Sequence, residues 1–66
     1  MKNRIKVARA EKSMTQQQLA DAAGGSRQTI NAIESGKFVP STILALKIAQ
    51  IFERRVEDIF QLDDED

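Results

Sequence analysis

Cysteine, histidine, tryptophan and tyrosine are all missing from this sequence of 66 residues. Without cysteine or histidine, the chain can form no disulfide, and it lacks the thiolate and imidazole ligands of most structural metal sites. It also has no phosphate-binding glycine motif and no room for a core that could enclose a substrate pocket. We therefore expect neither an enzyme nor a protein that needs a cofactor, a metal or a small-molecule ligand.

Long hydrophobic runs are missing as well. The first residues are polar, and no apolar segment is long enough for a signal peptide or a membrane span, so we expect a cytoplasmic protein without a membrane partner. A chain of this length is near the lower limit for a self-sufficient core. The length therefore predicts a single domain.

A net charge is also missing, but the charges are unevenly distributed. Residues 1–52 contain eight basic and three acidic side chains, a balance of +5, whereas residues 53–66 contain two basic and seven acidic ones, a balance of −5. A polyanion responds to the local field and not to the sum over the chain. Nucleic-acid binding is therefore compatible with a net charge of zero, provided that the acidic end points away.

The middle of the chain contains the strongest local signals. Thr15 and Gln18 have the spacing of a capping box, which starts a helix by satisfying free N–H groups from both sides. Gly24 and Gly25 interrupt that helix, because glycine adopts the left-handed conformation of a helix end at little cost. Ser26 can cap a second helix directly afterwards. Two short helices joined by a glycine-containing turn predict a helix-turn-helix.

Similar signals along the whole chain predict an all-α fold with five helices. Their expected positions are about residues 3–12, 16–23, 27–34, 41–52 and 56–60. The fourth helix is apolar over more than half of its circumference, so we expect it to be the central buried helix. We assign residues 1–62 to the folded domain and expect the acidic residues 63–66 to form a disordered tail.

The run GSRQTINAIESGKFVPS resembles the core of the phage repressor and Cro family of bacterial and archaeal transcriptional regulators. The resemblance covers about residues 2–60 and is most specific from Ser26 to Pro40. It implies a sequence-specific regulator, a repressor, that binds a palindromic operator in double-stranded DNA as a homodimer, with the third helix in the major groove. One departure is Gly25, because relatives place an aliphatic side chain there; we expect its absence to loosen the turn.

The exposed start of the third helix is the expected base-reading surface. Arg27 can donate two hydrogen bonds to guanine, Gln28 can pair with adenine, and the methyl group of Thr29 can contact thymine. The resemblance implies that Ser26 and Asn31 flank these base contacts. The alternative is a solvated helix face without a binding role.

Other polar residues match positions that contact the DNA backbone in the family. The resemblance implies phosphate contacts for Gln16 and Gln17, at the start of the second helix, and for Lys37, just after the third. Helix N-termini favour phosphate, although plain surface residues are the alternative for Gln17 and Lys37. Arg9 is expected to pair with Glu34 and to have a structural role.

Four apolar residues near the end of the chain are expected at the dimer interface: Phe52, Ile59, Phe60 and Leu62. Clustered apolar groups at a surface mark an interface, and a five-helix protomer has little left to cover them. Val7 is a possible neighbour from the first helix. The alternative for Ile59 is ordinary packing beneath that helix.

A second class of function is an antitoxin-like or other protein-interaction module, whose main partner is another protein. The centre of a protein-binding face is usually aromatic or aliphatic. The exposed side of the third helix is polar instead, which favours DNA.

Overall fold

The computed structural model describes residues 1–66 and contains five helices and one small sheet. The helices are α1 (Ile5–Glu11), α2 (Gln16–Ala23), α3 (Arg27–Glu34), α4 (Thr42–Ile51) and α5 (Val56–Ile59), and the strands are β1 (Lys2–Asn3) and β2 (Phe60–Gln61). The predicted helical fold with a helix-turn-helix is confirmed, and α2 and α3 have the predicted bounds. No helix combines the length and the apolar character that crossing a membrane requires.

Side-chain caps determine where the middle helices begin. The Thr15 hydroxyl accepts a hydrogen bond from the Gln18 N–H at 3.0 Å, and the Gln18 side chain accepts one from the Thr15 N–H at 2.9 Å. Ser26 and Ser41 cap α3 and α4. Each hydroxyl accepts a 3.1 Å hydrogen bond from the backbone N–H three residues later in the chain. α2 ends at Gly24, whose φ of +79° lies in the left-handed region that glycine favours. These local signals are those that the sequence predicts.

The two-stranded sheet was not predicted, and it corrects both ends of the helical assignment. β1 and β2 are antiparallel, with Asn3 opposite Phe60. The Arg4 N–H extends the pairing by donating to the Ile59 carbonyl at 2.8 Å. Asn3 and Arg4 therefore precede α1 instead of belonging to it, and Phe60 lies in β2 instead of in the last helix.

The core is one cluster of eleven buried apolar residues from all five helices and the segments that follow α4 and α5. It includes Phe52, Ile59 and Phe60, which are 3%, 2% and 8% exposed, whereas Leu62 is 78% exposed. The expectation that these four form a surface patch is therefore wrong for three of them. Pairing of β2 with β1 draws this part of the chain against the core, so that only Leu62 is available to a partner.

α4 is buried on one side only, which corrects the expectation of a central buried helix. Ile48 and Ala49 are buried, but Ile43 is 68% and Leu46 is 49% exposed. The protomer has too few elements to surround an apolar helix completely. α4 therefore presents a second apolar stripe to solvent.

The acidic end of the chain lies beside its beginning. The amino group of Met1 is 3.2 Å from the Asp63 carboxylate and 3.0 Å from that of Asp66, and Lys2 is 3.6 Å from Asp63. These contacts are at the surface, where ion pairs contribute little to stability. Disorder of residues 63–66 in solution stays a prediction.

Candidate nucleic-acid interface

α3 separates an apolar face from a polar one. Ile30 and Ile33 are buried in the core, whereas Arg27, Gln28 and Asn31 are exposed. This follows from the helical period, since residues three apart share a face. The structure thus brings the residues that are predicted to read bases onto one accessible surface.

The polar groups on this surface differ in how they are used by the protein itself. Ser26, Thr29 and Asn31 form hydrogen bonds with other protein groups, whereas the side chains of Arg27 and Gln28 form none. Free donors on an exposed helix can reach a ligand without first breaking an internal bond. Arg27 and Gln28 are therefore the side chains best prepared for base contacts.

The two hydroxyl groups at the start of α3 contact each other. Those of Ser26 and Thr29 are 2.9 Å apart, and the Ser26 oxygen also accepts the bond from the Thr29 N–H that caps the helix. Both oxygens thus serve the start of the helix. The methyl group of Thr29 remains as the part that can contact a thymine methyl group.

A hydrogen bond links the two helices of the helix-turn-helix on their exposed side. The side-chain amide of Gln16 in α2 donates to the side-chain oxygen of Asn31 in α3 at 3.2 Å. This leaves the Asn31 NH₂ group as a donor toward solvent. The sequence contains no signal for this pair, because it depends on how α2 and α3 are placed. Gln17, by contrast, donates to Asp21 one turn along its own helix at 2.8 Å.

A shallow groove of about 440 Å³ lies at the N-terminus of α2. Gln16 and Gln17 line it together with the loop after α1, and Arg27 reaches it from α3. No acidic residue lines the groove, Arg27 is its unpaired cation, and the free N–H groups of the first turn of α2 add partial positive charge. This is the chemistry that binds a phosphate group. A residue predicted to read bases and two predicted to hold phosphate thus lie together.

The C-terminal end of α3 is held by a partly buried ion pair. Arg9 donates to the Glu34 carboxylate twice, at 2.8 Å and 3.0 Å, and to the Met14 carbonyl at 2.9 Å. The hydrogen bonds to Glu34 raise the pKa of Arg9 above its ordinary value. The predicted pairing of Arg9 with Glu34 is confirmed. Because its donors are used internally, Arg9 fixes α3 against α1.

Asn3 gives α3 a second attachment, which was not predicted from the sequence. Its amide donates to the Ile33 carbonyl at 2.9 Å, while its side-chain oxygen accepts a 3.2 Å bond from the Ile5 N–H. The small sheet is thereby joined to the end of α3. The sequence gives no signal that Asn3 has this role, because its partner Ile33 is distant in the chain.

The charges are arranged so that positive groups remain free near α3. Five of the ten basic side chains have no acidic group within 4.0 Å: Arg4, Lys6, Arg27, Lys37 and Lys47. Arg27 begins α3, and the exposed Lys37 follows its end. Five of the seven acidic residues in 53–66 have a positive partner: Glu53, Glu57, Asp58, Asp63 and Asp66. Two unpaired cations, Arg27 and Lys37, therefore flank α3 although the chain is neutral.

Comparison of the sequence with known proteins shows the family to which the chain is similar. Residues 5–59 match the family model described as helix-turn-helix. An uncharacterized HTH-type transcriptional regulator of Methanocaldococcus jannaschii is 52% identical over 66 residues, which is the whole of both chains. Another from Bacillus subtilis is 46% identical over 65 residues, 98% of each chain. A third, from Archaeoglobus fulgidus, is 48% identical over all of this chain and 94% of its own.

Proposed function

Because the chain belongs to the helix-turn-helix family of transcriptional regulators, we propose that it is a repressor that binds a palindromic operator as a homodimer. The family consists of DNA-binding regulators and not of enzymes. In the proposed complex, α3 lies in the major groove, and α2 lies across the sugar-phosphate backbone. A dimer bound to its operator prevents other proteins from using the same base pairs.

The observation that supports this proposal best is the free state of Arg27 and Gln28 on the first turn of α3. A bidentate arginine contact to guanine, or a glutamine contact to adenine, discriminates against a wrong base by about 1–3 kcal/mol. Beside them, Gln16 and the N-terminal N–H groups of α2 offer a seat for phosphate. Phosphate contacts position the protein, and base contacts give it specificity. Both kinds of contact are available on one surface.

The two-fold symmetry is proposed because a single α3 reaches only a few base pairs. Specific protein–DNA interfaces bury on the order of 1,000–2,500 Å² of protein surface, which one short helix and one groove do not provide. A dimer doubles this contact when its two α3 helices are about 34 Å apart, one turn of DNA. The operator then has two inverted half-sites.

Selection of bound sequences from a random pool of duplex DNA tests this function. We expect an enriched motif with two inverted half-sites whose centres are separated by about 10 base pairs. Footprinting on that motif should protect two adjacent stretches of major groove. Recovery of no motif, with equal affinity for all duplexes, would contradict a sequence-specific regulator. A single unpaired half-site would contradict the dimer and leave DNA binding intact.

A further inference from the structure

The two exposed sides of α1 differ in charge. One side borders a groove of about 460 Å³ that includes three carboxylates, those of Glu11, Glu57 and Asp58. The other side borders the groove at the N-terminus of α2, which no acidic residue lines. The proposed complex with DNA places a phosphate group in this second groove, but it gives the α1 side of the groove no role.

Lys6 lies on the same side of α1 as the groove at the N-terminus of α2. It precedes Arg9 by three residues and Ala10 by four, and both of these residues line the groove. Residues three and four apart are neighbours on a helix surface, so Lys6 lies one turn, about 5 Å, from that lining. Its side chain is exposed and has no acidic group within 4.0 Å. The free ammonium group on its flexible stem can therefore reach a phosphate in the groove or the next one along the strand.

Ala10 and Glu34 also make this side of α1 suitable for a polyanion. Ala10 is exposed and small, so that a DNA backbone can come close to the helix. Glu34 approaches from α3, but its carboxylate accepts two hydrogen bonds from Arg9, at 2.8 Å and 3.0 Å. The charge of this carboxylate is thereby balanced. Lys6 remains as the free charge on this side of the helix.

One residue just after each of the four longest helices has a left-handed backbone, and only two of these residues are glycine. Gly24 and Gly36 follow α2 and α3, both with a φ of +79°, whereas Ser13 follows α1 with +51° and Glu53 follows α4 with +55°. A side chain is strained in this region, because its β-carbon comes too close to the following carbonyl oxygen. Glycine would therefore be the more stable residue after α1 and after α4. Backbone strain of this kind is common at functional sites.

Ser13 lines the groove at the N-terminus of α2, and its hydroxyl is free. The two residues that follow it have partners: the Met14 carbonyl accepts a hydrogen bond from Arg9, and the Thr15 hydroxyl accepts one from the Gln18 N–H. The Ser13 hydroxyl forms no hydrogen bond within the protein. Serine hydroxyls are common donors to the phosphate oxygens of DNA. A contact of this kind would use the group that distinguishes Ser13 from glycine.

We propose that this side of α1 contributes two contacts to the DNA backbone, a phosphate contact from the Lys6 ammonium group and a hydrogen bond from the Ser13 hydroxyl. We call Lys6, Ala10 and Ser13 the α1 face. The inference rests on the proposed function, to which it adds α1 as a third element of the interface besides α2 and α3. The DNA strand that passes the N-terminus of α2 then continues across α1.

Titrations of operator and scrambled duplexes with Lys6→Ala and Arg4→Ala test the first contact. Arg4 is the matched control, since it is also an exposed free cation beside α1 but lines the acidic groove on the other side. Lys6→Ala should weaken binding to both duplexes alike. It should also reduce the salt slope, which relates the logarithm of the affinity to that of the salt concentration, by about 0.9, so that its effect shrinks about 3-fold from about 50 mM to about 200 mM salt. Arg4→Ala should change neither quantity.

Opposite effects on stability and on DNA binding test the second contact. Ser13→Gly should raise the melting temperature by about 2–6 °C, because it removes the strain, yet weaken operator binding about 5-fold or more, because it removes the hydroxyl. Ser13→Ala keeps the strain, so it should weaken binding equally without raising the melting temperature. Glu53→Gly is the control, since Glu53 lines a separate groove with Lys12 and Arg54. It should raise the melting temperature and leave operator affinity unchanged.

The outcomes distinguish failure of the α1 face from failure of the proposed function. Wild-type affinity and salt slope in Lys6→Ala would overturn the Lys6 contact, as would an equal loss in Arg4→Ala, which would make the loss of charge responsible and not its location. Wild-type affinity in both Ser13 variants would overturn the Ser13 contact. In each of these cases, specific binding by the wild type leaves the proposed function intact. A wild type that binds no duplex specifically would refute the proposed function and the α1 face with it.

Discussion

Individual hydrogen bonds on α3 determine which of its polar side chains remain free to contact DNA. Ser26 and Thr29 are committed to the start of the helix, and Asn31 accepts a bond from Gln16. Arg27 and Gln28 have no protein partner. Residues that are adjacent in sequence and similar in polarity therefore have different roles. An exposed polar face becomes a reading surface only where its donors and acceptors are free or are aimed by a neighbour.

The bond from Gln16 to Asn31 predicts that these residues act together on DNA. Gln16→Ala and Asn31→Ala should each weaken operator binding. The first removes the hydrogen bond that orients the Asn31 amide, and the second removes the amide itself. Their effects should not add. We expect a coupling of about 0.5–1.5 kcal/mol in a double-mutant cycle, measured by fluorescence anisotropy on the selected operator.

The pair Gln17→Ala and Asn31→Ala provides the control for this cycle, since Gln17 bonds to Asp21 and not to Asn31. Its effects should be additive within about 0.5 kcal/mol. Equal coupling in both cycles would show that the bond between Gln16 and Asn31 is not responsible.

At the scale of the helix-turn-helix, the two glycines of the turn have different functions. Gly24 has a φ of +79° and ends α2, whereas Gly25 does not have a left-handed backbone. A β-carbon at Gly25 would meet no atom within 4 Å. A methyl group at Gly25 therefore fits without strain but makes no contact. Only a longer side chain could fill the space that the family's aliphatic residue is expected to occupy.

Alanine substitution at the two glycines should therefore change stability in opposite directions. Gly25→Ala should raise the free energy of unfolding by about 0.4–1 kcal/mol, because it restricts the unfolded chain at no cost to the folded one. Gly24→Ala should lower it by about 1–2 kcal/mol, because alanine is strained in the left-handed region. Urea unfolding followed by circular dichroism measures both. Equal destabilisation by the two changes would contradict this account of the turn.

The helices could be predicted from the sequence because their signals are local. Thr15, Gln18, Ser26 and Ser41 determine helix starts through contacts only three residues away. The sheet could not be predicted in this way. Its strands have two residues each, too few to show alternation, and they pair the beginning of the chain with its end.

This missing sheet explains why the expected interface was largely wrong. Phe60 was expected at the surface because the sequence does not show that β2 folds back onto β1. The apolar stripe of α4, by contrast, left a signal that could have been used: a helix that is apolar over more than half of its surface exceeds what five short helices can bury. Ile43 and Leu46 are the residues that remain outside.

At the scale of the whole molecule, separation of charge allows a neutral protein to offer a positive surface. Arg27 and Lys37 lie free at the two ends of α3, while most acidic residues of the C-terminal segment are paired with positive groups elsewhere. DNA responds to the field at the surface that it contacts. The acidic segment therefore need not oppose binding, as long as it remains distant from α3.

Deletion of residues 63–66 should accordingly leave both the melting temperature and operator affinity nearly unchanged at neutral pH. The contacts of Asp63 and Asp66 with the amino group of Met1 are at the surface and are screened by water. Thermal melts of the full and shortened chains, with operator titrations of both, measure the effect. A large loss of stability would show that the segment is docked and contributes to the fold.

Any small stabilisation by this segment should be limited to a range of pH. The pKa of Asp66 is lowered from its ordinary value of 3.8, mainly by the hydrogen bond from the Asp63 N–H. Its contribution is thus present above about pH 3.8 and is lost as the pH falls through the lowered pKa. The pKa of the amino group is raised from 8.0, mainly by its bond to Asp66, so its contribution is lost as the pH rises through the raised pKa. Below the lowered pKa of Asp66 and above the raised pKa of the amino group, the full and shortened chains should have the same melting temperature.

If α3 reads bases while neighbouring groups hold phosphate, substitutions at the two kinds of contact should have different effects on DNA binding. Operator and scrambled duplexes are titrated with the wild type, Arg27→Ala and Lys37→Ala at several salt concentrations. Arg27→Ala should lose about 1–3 kcal/mol on the operator and reduce the preference for it over scrambled DNA. Lys37→Ala should weaken binding to both duplexes alike and reduce the salt slope by about 0.9. Unchanged operator affinity and unchanged sequence preference in Arg27→Ala would contradict the assignment of α3 as the reading helix.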